Sequence, residues 1–404
     1  MTQRRALISG ASIAGPALAF WLNRYGWETT VVERAAEVRT GGQNIDVRGA
    51  ARETLRRAGL EDVVRAATTG ELGTRFVRAD GSTAAEFPAG ESDTEGATAE
   101  VEILRGDLAQ ILIDASMSKT EYVFGDAIAG VEETTDGVRV SFEKGQDREY
   151  DLVIVAEGKN STTRSLLFRG AERAEVRDLG MEMAYLTIPR TDGDVDWWRW
   201  YSAPGGRGVT LRPDRHGTTR AVLSRMTHGR ASGFDRRDAA GQKSALREQF
   251  GDAGWEATRV LDALDGADVY FESLGQVHAP TWSTGRVALT GDAAWCASPV
   301  SGMGTSLSLV GAYVLAGELS AHVDHRDAFR GYERILRPYV EQAQDPPPGT
   351  PRLANPSTRA GIAALHGLLR AASTKAVAPL RSRMFRPPAE KIELPDYGHL
   401  EARV

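Results

Sequence analysis

The most constraining feature is a short apolar run, Ala6-Leu7-Ile8-Ser9, which leads at once into Gly10-Ala11-Ser12-Ile13-Ala14-Gly15. Apolar residues then recur at helical spacing through Ala17, Leu18, Phe20, Trp21 and Leu22, and Gly26 stops the helix. Thr29-Thr30-Val31-Val32-Glu33 reads as the next strand. Strand, tight turn, helix and strand within about 30 residues is the opening of a βαβ unit. The first glycine of such a turn allows the sharp bend, the second the approach of a pyrophosphate, and the third the packing of helix on strand. Gly10 and Gly15 occupy the first and third places, and Ser12 replaces the second. The backbone of Ile13 and Ala14 opens the helix, whose N–H groups and partial positive charge suit phosphate. Glu33 ends the second strand, where a carboxylate accepts from a ribose diol and repels a 2′-phosphate, so the resident dinucleotide is not expected to be NADP. Arg34 follows it as a further contact candidate. The alternative is a structural turn with a solvated glutamate at a strand end.

Two more apolar runs read as strands buried on both faces: Leu152-Val153-Ile154-Val155 and Val287-Ala288-Leu289-Thr290. Both run into glycine-containing turns, and α/β sheets bind ligands at strand carboxyl ends. Between them, residues 180–274 alternate apolar and polar residues around turns such as Pro204-Gly205-Gly206, the pattern of an inserted antiparallel sheet. Helices are expected over Thr305–His322 and Asp327–Gln344, then a break at Pro346-Pro347-Pro348-Gly349. An amphipathic packing helix is expected around Ile362–Val377. The expected division is a discontinuous nucleotide-binding domain (1–70, 100–177, 275–345), a substrate domain (71–99, 178–274) and a C-terminal helix and tail (346–404).

Four segments together carry a resemblance. The first is the glycine turn. The longest is Gly285-Arg286-Val287-Ala288-Leu289-Thr290-Gly291-Asp292-Ala293-Ala294, continuing through Pro299 and Gly302-Met303-Gly304 into a helix. A third is Asp151-Leu152-Val153-Ile154-Val155-Ala156-Glu157-Gly158, continuing to Ser161 and Arg164, and a fourth is Arg105-Gly106-Asp107-Leu108. The chain resembles the class A flavoprotein monooxygenases, the para-hydroxybenzoate hydroxylase family, and within it the tetracycline-inactivating and polyketide-tailoring members. The resemblance runs from about residue 6 to about residue 345 and is thin over 180–274.

That resemblance implies an α/β fold with a Rossmann-type FAD-binding domain, an inserted antiparallel substrate sheet and a C-terminal helix. It implies FAD as cofactor, with NADPH or NADH as transient electron donor and dioxygen as co-substrate, acting through a flavin C4a-hydroperoxide on an aromatic or polycyclic small molecule. Asp292, after Gly291, would contact the ribitol, and Pro299, Gly302, Met303 and Gly304 the flat ring. Arg105 would approach the flavin, as would Glu157, Gly158 and Arg164, with Glu157 standing where the family motif has aspartate. Gly41-Gly42-Gln43-Asn44-Ile45-Asp46-Val47-Arg48 resembles the loop along the isoalloxazine; Gln43 is a cofactor contact, and Asp46 and Arg48 are flavin or substrate contacts or, equally, a solvated pair. Met183, Tyr185, Trp200, Arg212 and Met226 are candidate substrate contacts by position, with core packing an equal alternative.

Other chemistries find little support. The seven histidines show no metal-ligand spacing, and Cys296, the one cysteine, builds neither a zinc site nor an internal disulfide. Trp198-Arg199-Trp200 matches the start of the flavin-halogenase Trp-x-Trp-x-Ile-Pro motif, but Tyr201-Ser202-Ala203 follows, and the halogenase reading is rejected. Net charge is −6 with both signs interleaved, which argues against a nucleic-acid surface. Absence of about 18 consecutive apolar residues argues against a membrane span. A cytoplasmic monomer or weak homodimer is the expectation. Two alternatives remain: a flavin-dependent reductase of the same fold, and a non-catalytic binder of flavin or aromatic ligands.

Overall fold

The computed structural model describes residues 3–38, 43–89, 101–227, 237–345, 350–374 and 392–401. Gly41, Gly42, the 346–349 break and Val377 lie outside the described residues. A six-stranded sheet runs in the order Ser283–Thr284, Val287–Leu289, Leu152–Val155, Arg5–Ser9, Glu28–Glu33, Thr120–Phe124. Its last five strands are mutually parallel, and only the two-residue edge strand is antiparallel. Leu152–Val155 and Val287–Leu289 are buried at every position, as continuous apolar strands covered on both faces must be. The first strand leads through the helix Ala14–Arg24 to its neighbour Glu28–Glu33, while Leu152–Val155 lies on its other side. The chain therefore leaves the first strand in one direction and returns on the other, and a crevice opens between Ser9 and Val155 at the carboxyl ends.

The second layer is a seven-stranded sheet in the order Tyr270–His278, Glu175–Pro189, Thr218–Met226, Arg207–Pro213, Trp198–Ala203, Gly73–Val77, Thr83–Pro88. It is antiparallel except where Trp198–Ala203 runs parallel to Gly73–Val77. Cross-strand partners share a face, so the registers divide it cleanly. Ala184, Leu186, Leu211 and Leu223 pack under the helices Ala239–Phe250 and Ala257–Asp262. These helices fall inside the segment expected to be sheet alone. Asp238 caps the first of them by accepting from the Gly241 amide. The opposite face carries Met183 opposite Ser224, Tyr185 opposite Val222, Thr210 opposite both Val222 and Trp200, and Met226 opposite Met181. All five residues chosen as substrate contacts lie on this face.

Helices Gly304–Ala321 and His325–Gln344 appear close to their expected spans. The C-terminal segment departs from expectation. Its helix, Arg359–Ala372, buries none of its residues and leaves Leu368 70% exposed, while lying along Thr83–Pro88 and Trp198–Ala203. Core packing comes instead from the tail beyond it. Tyr397 is buried, donates to Glu318 Oε1 at 2.6 Å, and its ring fills the space beside Gly317. Among the described residues no helix is long and apolar enough to cross a membrane.

One ionic bolt joins the seven-stranded sheet to the strand pair Asn44–Asp46 and Glu102–Leu104. Arg212 donates to Glu71 Oε2 at 2.9 Å and to Glu102 Oε2, and its guanidinium lies 4.1 Å over the Trp198 ring. Two buried carboxylates thus share one cation, and burial, against the pull of Arg212, lifts the Glu71 carboxyl far above the usual range. An acid whose pKa is raised by folding stabilises most below its unfolded pKa and loses that contribution as pH rises toward the folded value. Glu71→Gln is therefore expected to raise Tm at pH 8 and to have little effect at pH 4. Calorimetry across that range checks it, and equal Tm values at pH 8 would remove the bolt from the account.

Candidate active site

Close backbone approach builds the crevice. Gly10 has φ +114°, and a Cβ there would overlap the Ala156 carbonyl oxygen across the crevice. A Cβ on Gly15 would overlap the Gly10 carbonyl oxygen, so the turn and the first helix touch directly. The amino end of that helix, with Ile13 at its cap, carries no side-chain cap and no acidic residue in its first turn. Ser12, at the second-glycine position, accepts from Arg105 Nη1 at 3.3 Å. Arg105 starts the helix Arg105–Ser116, and its backbone amide donates to the Gln43 carbonyl at 3.1 Å. The glycine turn and the Arg105 segment, 93 residues apart, are thereby brought together. Glu33 closes the turn, accepting from the Ala11 and Ala35 amides at 2.9 Å each, while Arg34 is exposed.

The strand Val287–Leu289 delivers the second wall. Gly291 adopts φ +61°, ψ −152°, and a Cβ there would lie 2.8 Å from that of Ala14. Asp292 begins the short helix Asp292–Trp295, and burial lifts its carboxyl above the ordinary value, with Cys296, Lys159 and Arg105 pulling the other way. Ser298 holds φ +72°, a strained setting for a non-glycine residue, immediately before the Pro299–Ser301 turn. Gly302 is left-handed, Met303 is buried, and Gly304 starts a long helix whose amino end again lacks a side-chain cap. Two uncapped helix starts thus bound the space beside Asp292.

The third segment behaves differently from expectation. Glu157 turns its carboxylate into the protein and accepts from Ser9 Oγ (2.6 Å), Thr163 Oγ1 (2.5 Å), Ser161 Oγ (2.7 Å) and the Thr163 amide (3.1 Å). The extra methylene relative to aspartate lets it fasten the first strand to the helix Thr162–Leu167. Arg164 is buried and donates to the Ala293 and Lys159 carbonyls at 2.9 and 2.8 Å. Both act on the walls of the crevice, leaving Gly158, with φ +82° and open space where a Cβ would sit, as the unencumbered point of the loop. Asp46 and Arg48 pair at 2.9 Å and are largely buried, so they are not a solvated pair.

Of the five substrate candidates, Arg212 is spent on Glu71, Glu102 and Trp198, as described, and is a structural bolt rather than a free contact. Met226 packs with Met181, Leu274 and Met183. Tyr185 donates to Met183 Sδ at 3.2 Å, and its ring lies 6.0 Å from Tyr270. Trp200 stacks on Phe76 at 5.8 Å, and its buried indole N–H has no partner among the described residues. The sequence reading missed Glu272. It lies opposite Met183 on the same face, is half-buried, and forms no hydrogen bond or ion pair among the described residues. Lys159 reaches across from the Gly158 loop and donates to the neighbouring Ser273 carbonyl. The signal was available: Tyr270, Glu272 and Leu274 alternate along one strand, which puts the acid on the face of an apolar neighbour.

A family model described as an FAD binding domain matches residues 3–345. The chain belongs to the FAD-dependent monooxygenases. The resemblance to the class A enzymes is thereby borne out, and FAD is the cofactor. A flavin-dependent monooxygenase from an unknown prokaryotic organism is 39% identical over 84% of this chain and 88% of its own. Flavin-dependent monooxygenase eupH of a Phoma species is 36% identical over 98% of both chains. Among solved structures, tetracycline destructase Tet(51) superposes with a TM-score of 0.80 at 32% identity, covering 98% of this chain and 99% of its own. The mixed parallel and antiparallel architecture expected from the sequence matches that fold.

Because Gly15 abuts backbone rather than a flexible side chain, Gly15→Ala is expected to abolish flavin retention and lower Tm by several degrees. Ser12→Gly should retain FAD, losing only the bond from Arg105. Flavin-to-protein absorbance ratios and thermal melts of the two variants distinguish them.

Proposed function

We propose that the protein hydroxylates an aromatic or polycyclic small molecule, using NAD(P)H as electron donor and dioxygen as oxygen source. The observation that carries this reading is the convergence of two uncapped helix starts, one at Ile13–Gly15 and one at Met303–Gly304, on the space beside Asp292. The first suits the pyrophosphate of FAD, with Ser12 small enough to permit close approach and Glu33 within reach of the adenosine ribose. Asp292 suits the ribitol hydroxyls as an acceptor. The Pro299–Gly304 backbone and the second helix start suit the polar edge of the ring. Arg105 and Gln43 close the opposite side.

Bound FAD supplies the redox chemistry, taking electrons from the nicotinamide and activating dioxygen. The protein's task is to orient the substrate and exclude water. The sheet face with Met183, Tyr185, Trp200 and Met226 offers a broad apolar and aromatic floor for a flat substrate. The partnerless indole N–H of Trp200 offers a donor for a substrate oxygen, since a buried orphan donor costs about 1–3 kcal/mol until it is met. Likeness to a tetracycline destructase supports a polycyclic substrate class.

The visible spectrum tests the reading. The purified protein is expected to carry an oxidised flavin that bleaches with NADPH or NADH without air and recovers when oxygen enters. Faster bleaching with tetracycline or a simple phenol would identify the substrate class. A protein that neither carries nor takes up FAD would sink the proposal.

A further inference from the structure

Electrophilic oxygen transfer to a phenolic ring is favoured when the ring hydroxyl has lost its proton, yet none of the residues given a role under the proposed function accepts one. We infer that Glu272 is the catalytic proton acceptor for a substrate hydroxyl, a role that rests on the monooxygenase reading above. In this step the substrate O–H bond breaks, the proton bonds to a Glu272 carboxylate oxygen, and the electron pair stays on the substrate oxygen. No electrons leave the substrate. The step only raises the electron density of the ring before oxygen is transferred.

Position is the first argument. Glu272 projects from the face that also presents Met183, Tyr185 and Met226, one strand in from nothing: Tyr270–His278 is the sheet edge beside the Asp292–Trp295 helix. The far end of the same strand is tied to that helix region, since the Val277 amide donates to the Cys296 carbonyl at 3.0 Å and Cys296 Sγ to the Gly275 carbonyl at 3.4 Å. Strand pairing with Met183 and Tyr185 on one side and these bonds to Cys296 on the other hold Glu272 in place.

Elimination is the second. The other carboxylates around the crevice are committed. Glu33 accepts from two amides and Glu157 from four donors. Asp46 holds Arg48, Glu71 and Glu102 share Arg212, and Asp107 faces His216 at 3.2 Å. Asp292 is assigned to the cofactor. Glu272 has no hydrogen-bond or ion-pair partner among the described residues, is half-buried, and lies close enough to Asp292 and Arg105 to feel their charges. Tyr185 is not the base, because burial holds its hydroxyl protonated and Glu272 adds to that effect.

Electrostatics tunes the group for the task. Burial lifts the Glu272 carboxyl above the ordinary value; Lys159 opposes this, Asp292 adds to it, and Arg105 opposes it. Tyr185, Tyr270 and Cys296 complete the titratable groups facing it, and Cys296 stays a thiol because burial raises its own pKa. A more basic carboxylate comes closer to matching a phenol, which makes proton transfer more efficient. Because the base must be ionised to act, activity is expected to rise with pH through this ionisation, on the alkaline side of an ordinary glutamate.

The test uses the FAD-loaded protein and two readouts. Infrared difference titration of wild type against E272Q is expected to show a carboxylic-acid C=O band that disappears above the ordinary carboxylate range. With tetracycline as probe, E272Q is expected to lose about 100-fold or more in kcat, the scale of general-base catalysis, with KM nearly unchanged. Its acid limb should vanish and E272D should restore part of the rate, while both variants keep wild-type flavin content. An E272Q enzyme with the wild-type rate and acid limb would overturn the role of Glu272. If wild type does not oxidise tetracycline, that choice of substrate class fails, and the infrared titration decides: a Glu272 band that ionises at the ordinary value overturns the inference.

Discussion

The contact between the Gly10 turn and the Ala156 carbonyl is the constraint on which the rest of the site depends. Two parallel strands whose chains depart in opposite directions leave a gap at their carboxyl ends, and only backbone without a side chain can bring the gap's two walls this close. Gly15 then allows the first helix to sit directly on the turn, and Gly291 allows the second wall to meet Ala14. A cradle assembled this way has its donors fixed before any ligand arrives, so little ordering cost remains at binding. Glu157 and Arg164 serve the same end from behind. One ties Ser9 to the Thr162–Leu167 helix, the other ties Lys159 to Ala293, and both keep the walls in register.

The walls beside Asp292 meet the seven-stranded sheet at a few named contacts. The Arg212 bolt ties the seven-stranded sheet to the strand pair Asn44–Asp46 and Glu102–Leu104, and its edge strand Tyr270–His278 runs alongside Asp292–Trp295. Burying two acids with one cation is a weak source of stability, but it fixes orientation, since any misplacement leaves a buried charge without its partner. The same face that the bolt orients carries the aromatic and methionine side chains, so the alignment of the sheet also places those side chains.

The nucleotide-binding half was legible in the sequence because its signals are local. Glycines at fixed offsets, fully apolar strands and the Gly291-Asp292 segment each carry their meaning within about ten residues. The sheet's face was legible through period-two alternation, which is why Met183, Tyr185, Trp200, Arg212 and Met226 share it. What those side chains do there was not, because it depends on registers that no local pattern encodes. Arg212 lies 141 residues from Glu71 and 110 from Glu102, and only the folded sheet makes it a bolt. Glu157 read as a cofactor contact, and the fold adds bonds from Ser9, Ser161 and Thr163 that no local pattern encodes. The helices Ala239–Phe250 and Ala257–Asp262 were hidden by turn signals that dominate the surrounding segment, and the burial of Tyr397 by the polar sequence around it.

The central claim is that a flavin held in this cradle transfers an oxygen atom to a molecule lying on the sheet face. Isotope labelling tests it most directly. Turnover with NADPH under ¹⁸O₂, using a compound that accelerates flavin bleaching, should give a product heavier by one ¹⁸O atom by mass spectrometry. A product containing no label, with all the oxygen recovered as hydrogen peroxide or water, would contradict the claim and leave the protein an oxidase or reductase built on the same fold.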